Sequence, residues 1–127
     1  MARQQHRSKR KVSGGRYHYV RTKKKSELAG YAANTKLDET RKVKTQRILG
    51  GHQKQSLLLA NEVNVADKKG KTVTTTIVNV VENPANPNLV RRNIMTKGAV
   101  VETKLGKVRI TNRPGQEGSI NGVLVKY

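Results

Sequence analysis

The stretch TVTTTIVNVVE, Thr72 to Glu82, decides how this chain folds. It is rich in β-branched residues, whose two heavy atoms on Cβ restrict χ1 and suit a pleated surface better than a helix. Read at period two, Val73, Thr75, Ile77, Asn79 and Val81 share one face of a strand. Immediately upstream, DKKGK (Asp67 to Lys71) has the Asp, Gly and charge of a hairpin turn. Before that turn, LLLANEVNV (Leu57 to Val65) is apolar and then roughly alternating, which reads as the partner strand.

Downstream, NPANPN (Asn83 to Asn88) is a loop, because two prolines exclude both a helix and a central strand. LVRRNIM, AVVETK, KVRIT and INGVLVKY follow as further short strands, separated by KG, LG and the turn NRPGQEGS. Several short strands at this spacing predict an all-β fold, a small closed or partly open β-barrel. No repeat with a period of 20 to 50 residues is present.

The other end of the chain is different. Before Val43 there is no cluster of large aliphatics, so residues 1–42 are expected to be an extended basic N-terminal arm, ordered on binding, and residues 43–127 the barrel body. KKKSELA (Lys23 to Ala29) has good helix formers, which predicts a short helix there with Gly30 as its stop. From Arg3 to Lys25 there are ten Lys or Arg and no acid. Residues 1–54 hold sixteen Lys or Arg against three acids, and residues 55–127 hold eleven against five. A formal net charge of +19 on 127 residues opposes compaction and calls for a polyanionic partner.

Composition also excludes classes of function. The absence of cysteine removes disulfides, thiolate zinc sites and thiol catalysis. No apolar run approaches a membrane span, and the basic N-terminus lacks the apolar segment of a secretory signal, so a cytoplasmic address is expected. His6, His18 and His52 all lie among cations and are not spaced as a ligand set, so they are expected to contact solvent or RNA. The eight acids are scattered singly, which leaves no carboxylate pair for acid–base work. Gly70, Lys71 and Thr72 spell the end of a phosphate-cradling loop, but Val65 stands where that loop needs its first glycine, and a strand follows. The chain is therefore expected not to be an enzyme, and to need no cofactor, metal or small-molecule substrate.

Two glycine pairs embedded in cations, RKVSGGR and RILGGHQK, suit close approach to phosphates, since glycine admits positive φ and brings no side chain. The four tyrosines, Tyr17, Tyr19, Tyr31 and Tyr127, are too few for the stacking platforms of single-strand binders. No helix-turn-helix or finger pattern reads base edges. Backbone and shape recognition of a folded RNA remains, with a DNA-compacting basic protein as the alternative.

The runs KRKVSGGR (Lys9 to Arg16), ANTK (Ala33 to Lys36), VVENPAN (Val80 to Asn86), VRRNIMTKGAVVET (Val90 to Thr103) and TNRPGQEG (Thr111 to Gly118) resemble a known family. It is the archaeal form of a small-subunit ribosomal protein, the eighth in the archaeal and eukaryotic naming and unrelated to the bacterial protein of that number. The resemblance covers nearly the whole chain. It implies a compact β-barrel whose basic extension is buried in small-subunit ribosomal RNA, a structural role in the ribonucleoprotein that carries out translation, and neighbouring ribosomal proteins as further partners. One departure concerns the second glycine pair: His52, Gln53 and Ser56 stand where the family has Asn and further cations, while Lys54 is kept.

The residues expected to contact RNA are Lys9, Arg10, Lys11, Gly14, Gly15, Arg16, Arg21, Lys23, Lys24 and Lys25 in the arm, then Lys36, Arg41, Lys42, Gly50, Gly51, Lys54, Arg91 and Arg92. If Arg91 and Arg92 lie in a strand, their side chains point to opposite faces. Asn83, Pro84 and Asn86 are expected to set a loop.

Overall fold

The structure is a computed structural model that describes residues 3–4, 8–19, 21–67 and 70–125. Arg7, His6, Lys68, Lys69 and Tyr127 lie outside the described residues. The chain divides into two compact units, Met1–Ala32 and Ala33–Tyr127. The first holds β1 (Arg3–Gln4) and β2 (Leu28–Ala29), paired antiparallel. The second holds β3 (Lys36–Leu37), β4 (Lys42–Arg47), β5 (Gln53–Ala60), β6 (Glu62–Ala66), β7 (Thr72–Glu82), β8 (Val100–Thr103), β9 (Gly106–Ile110) and β10 (Asn121–Leu124).

The predicted barrel is closed, in the order β10-β6-β7-β8-β9. Four of its contacts are antiparallel and one, β10 on β6, is parallel. That exception is forced by number, because five strands that alternate in direction bring the first and last together pointing the same way. β7 is the strand that bends the sheet round. Thr72–Thr76 pair with β6, and Ile77–Glu82 pair with β8. Register shifts between Ile77 and Asn79 and between Val80 and Glu82 mark bulges, which kink a strand and re-aim its side chains. The expected face of Val73, Thr75, Ile77, Asn79 and Val81 is corrected accordingly. Ile77 and Val80 are buried, while Val73 and Asn79 are exposed.

Inside the barrel lie Val63, Val65, Ile77, Val80, Met95, Ala99, Val101, Val108, Ile110 and Ile120. A second sheet, β3-β5-β4, adds Leu57 and Ala60 to the same core, with Leu37 and Val43 packed against it. LLLANEVNV is thus not one strand. It breaks at Asn61, whose carbonyl accepts the Ile77 N–H at 2.7 Å, and the two halves enter different sheets. Residues 33–42 also pack with the body, where Thr35 is buried and donates its hydroxyl to the Leu57 carbonyl at 2.6 Å.

Two further expectations change. LVRRNIM is not a strand, since Pro87–Arg92 form a 3-10 helix. Local capping overrides β-propensity here: the Asn86 side chain accepts from the Asn88 N–H, Pro87 opens the first turn, and Asn93 closes it in the left-handed region at φ 50°. Lys23–Ala29 is not a helix either. One 3-10 turn, Lys25–Glu27, ends at Leu28, which goes extended to pair with Gln4.

Asn83 does set its loop. It is buried, donates to the Ile94 carbonyl at 3.2 Å, and accepts from Ala85 N–H and the Thr96 hydroxyl. Asn83→Ala removes the donor of the buried Ile94 carbonyl, at about 1–3 kcal/mol if it stays unpaired, and unties the Ala85 N–H and the Thr96 hydroxyl. The expected loss is about 2–4 kcal/mol, read as a lower denaturant midpoint at unchanged m-value.

Candidate nucleic-acid interface

In the first unit the sequence RKVSGGR folds into a tight hairpin. Arg10 bridges Arg16, the Lys11 N–H donates to the Gly15 carbonyl at 2.7 Å, and Tyr17 N–H donates to the Lys9 carbonyl at 3.0 Å. Gly14 turns the corner at φ 83°, a region costly for side-chain-bearing residues. The Arg10 guanidinium donates to the Gly14 carbonyl at 3.0 Å and ties the loop to its stem.

The arm cations are presented outward: Lys9, Arg10, Lys11, Arg16, Lys23, Lys24 and Lys25 are all exposed. Two tyrosines work as supports, with Lys11 Nζ 5.6 Å from the Tyr17 ring centroid and Lys23 Nζ 5.7 Å from that of Tyr19. Cation–π placement of this kind holds a lysine stem without cancelling its charge.

Arg21 is in a different state. Its two terminal nitrogens grip the Glu27 carboxylate at 3.0 and 2.5 Å, and the Lys24 N–H adds a third bond to it at 3.2 Å. The hydrogen bond and then the charge of Glu27 raise the already high pKa of the guanidinium. Arg21 thereby organises the Lys23–Lys25 segment around the acid.

In the second unit the predicted cations fall in three places. Arg91 and Arg92 occupy the last turn of the 3-10 helix and are both exposed, so the opposite-face argument for a strand does not apply. Arg41 is exposed and donates to the Gly118 carbonyl at 2.8 Å. It also lines a cleft of about 240 Å³ with Glu39 and Glu62, whose acids repel a phosphate. Lys36 stands exposed in β3.

The third place is the β4–β5 ribbon. Lys44 faces Ser56, Thr45 faces Gln55, Gln46 faces Lys54 and Arg47 faces Gln53. From Lys44 to Gln55 every residue except half-buried Lys54 is exposed, so both faces of the ribbon are free of the core. The sequence sets that boundary: after Val43 and before Ser56 the strands carry polar side chains with nothing to bury. At roughly 3.3 Å per residue the free ribbon reaches about 15 Å. Gly50 and Gly51 form its tip at φ 73° and 76°.

Of the residues expected to contact RNA, Lys42, Gly50, Gly51 and Lys54 lie on this ribbon, and Lys44 and Arg47 add two exposed cations to it. The sequence carries a signal for them. No acid occurs from Thr40 to Asn61, and Arg41, Lys42, Lys44, Arg47 and Lys54 all fall in that window.

Among the described residues, no group of three or more His, Cys, Asp or Glu could hold a metal ion. No helix among them is long and apolar enough to cross a membrane. The family described as Ribosomal protein S8e matches residues 4–125. The chain is 51% identical over 123 residues to the small ribosomal subunit protein eS8 of Methanocorpusculum labreanum, covering 96% of this chain and 98% of that one. It is 47% identical over 126 residues to the protein so named in Methanobrevibacter smithii, covering 98% and 100%. With that of Methanococcus aeolicus the identity is 45% over 119 residues, 93% of each chain.

Proposed function

The chain belongs to the ribosomal protein S8e family in its archaeal form, and from that membership we propose that it is a structural constituent of the small ribosomal subunit which binds folded small-subunit ribosomal RNA through the phosphate backbone. The observation that carries this reading is near-full-length identity to proteins named for that subunit. Charge gives it a mechanism. Exposed arm cations and the acid-free ribbon neutralise phosphates, and condensed counter-ions released from the RNA supply the driving force. The role is stoichiometric: the protein holds RNA helices in place and turns nothing over. Its partners are the RNA and the neighbouring proteins of the subunit, in the cytoplasm. The arm gains its final order as it meets the RNA.

DNA compaction explains the charge equally well but gives no account of the relatives. Sedimentation of lysate with the protein tagged separates the two readings. Co-migration with small subunits that survives moderate salt and collapses on RNase treatment supports the ribosomal role. Migration with DNA, or at the top of the gradient whatever the treatment, sinks it. In direct binding to a small-subunit RNA fragment, about eight neutralised phosphates give log K against log salt a slope of roughly −6 to −7. A slope near −2 would contradict a phosphate-dominated interface.

A further inference from the structure

The two glycine-pair hairpins are built alike, although they belong to different units. In the first, the Lys11 N–H donates to the carbonyl four residues on, Gly15, at 2.7 Å. In the second, the Ile48 N–H donates to the carbonyl four residues on, His52, at 2.8 Å. Three residues after the donor, each loop turns on a glycine of positive φ, Gly14 at 83° and Gly51 at 76°. A Cβ at either would meet nothing within 4 Å, so the backbone angle and not crowding calls for glycine.

One residue after the donor, each loop carries an aliphatic side chain, Val12 in one and Leu49 in the other. These are the two most exposed large hydrophobic residues among those described, with Leu49 at 94% and Ile48 beside it at 41%. A single exposed aliphatic is ordinary. The same geometry twice, with the aliphatic leading and cations behind it, is not. Arg10 and Arg16 flank Val12, and Arg47 and Lys54 flank Leu49.

We propose that both hairpin tips are aliphatic plugs that seat against unstacked nucleobases of the RNA, while the flanking cations grip the phosphates on either side. This rests on the RNA-binding reading above and adds base contact to it. Charge fixes the class of occupant: the ribbon carries no acid from Thr40 to Asn61, so the surface around Leu49 attracts a polyanion. Shape fixes the contact. Aliphatic wedges from nucleic-acid-binding proteins lodge at base steps and unstack them, and a hairpin carries such a wedge without exposing a free edge at its tip. The positive-φ glycine reverses the chain within two residues of the aliphatic, so the wedge is carried on a tight turn.

The test compares full-length variants on one small-subunit RNA fragment. Leu49→Ala with Ile48→Ala, and separately Val12→Ala, each weaken binding roughly 10-fold or more, the scale of burying an aliphatic side chain. The salt slope stays unchanged, because an apolar contact releases no counter-ion. Lys44→Gln with Arg47→Gln instead flattens the slope by about 1.4–1.8. Chemical probing of the RNA shows specific bases protected by the wild-type chain and released by the tip variants. Since all these side chains are exposed, the melting temperature is unaffected. Unchanged affinity and unchanged base reactivity in the tip variants overturn the proposal while leaving phosphate binding intact. Unchanged affinity with lost incorporation into subunits overturns it too, and assigns the tips to a protein neighbour. A wild-type chain that does not bind the fragment defeats the RNA reading itself.

Discussion

Replacing Lys9, Arg10, Lys11, Arg16, Lys23, Lys24 and Lys25 by glutamine in the full chain is expected to weaken binding to small-subunit RNA by roughly three to five decades at 0.1 M salt. Each cation that meets a phosphate adds about 0.7–0.9 to the slope of log K against log salt, so seven contacts amount to about 5–6. The substitutions leave the barrel alone, because every one of these side chains is exposed and lies in Met1–Ala32, while the core lies in Ala33–Tyr127. The melting temperature of the body therefore holds while affinity falls. The hairpin of the first unit also persists in large part, since backbone bonds from Lys11 N–H and Tyr17 N–H close it. Equilibrium binding across a salt series gives the slope directly. A fall in affinity of less than tenfold, with the slope intact, would move the main RNA contact out of the arm.

Arg21 is left out of that set for a structural reason. Its guanidinium is paired with Glu27, so part of its charge is already met within the chain. Sequence alone could not separate it from its neighbours. Glu27 is six residues away, and only a chain that doubles back brings the two together.

Other features were legible to different degrees. β7 was readable end to end, because β-branched content and flanking turns act locally. Its facing was not, since two bulges shift the period, and bulges answer to barrel closure and not to the strand's own residues. The same holds for Thr35, which reads as an arm residue until Leu57, 22 positions later, supplies the carbonyl for its hydroxyl. The charge of Arg91 and Arg92 reads directly from the chain, but they lie on a 3-10 helix and not on the expected strand. The signal that corrects them was present in the chain as Asn86-Pro87, a cap followed by a proline fit for a first helical turn. No single position marks Lys44 and Arg47; what sets them apart is the acid-free window from Thr40 to Asn61 in which they lie.

Gly122 sits in the strand that closes the barrel, and Gly122→Ala is expected to lower the melting temperature by about 8–16 °C. Gly122 is buried in β10, opposite Val65 of β6 on one side and Ile110 of β9 on the other. A Cβ there would collide with Val108 Cγ1 and lie 2.9 Å from the Arg109 carbonyl oxygen. Two effects oppose each other. Removing glycine from the unfolded chain stabilises by about 0.4–1 kcal/mol. Overpacking costs about 1–3 kcal/mol, and here the upper end applies, because the backbone carbonyl belongs to a strand already paired to β8 and cannot yield freely. The net loss of about 2 kcal/mol, at roughly 4–8 °C per kcal/mol for a body of this size, gives the expected shift. Combining Gly122→Ala with Val108→Ala removes the methyl that collides, so the pair should cost about 1 kcal/mol less than the sum of the singles. Strict additivity, or a single substitution that leaves the melt unchanged, would mean that β10 is not held where the parallel contact with β6 requires.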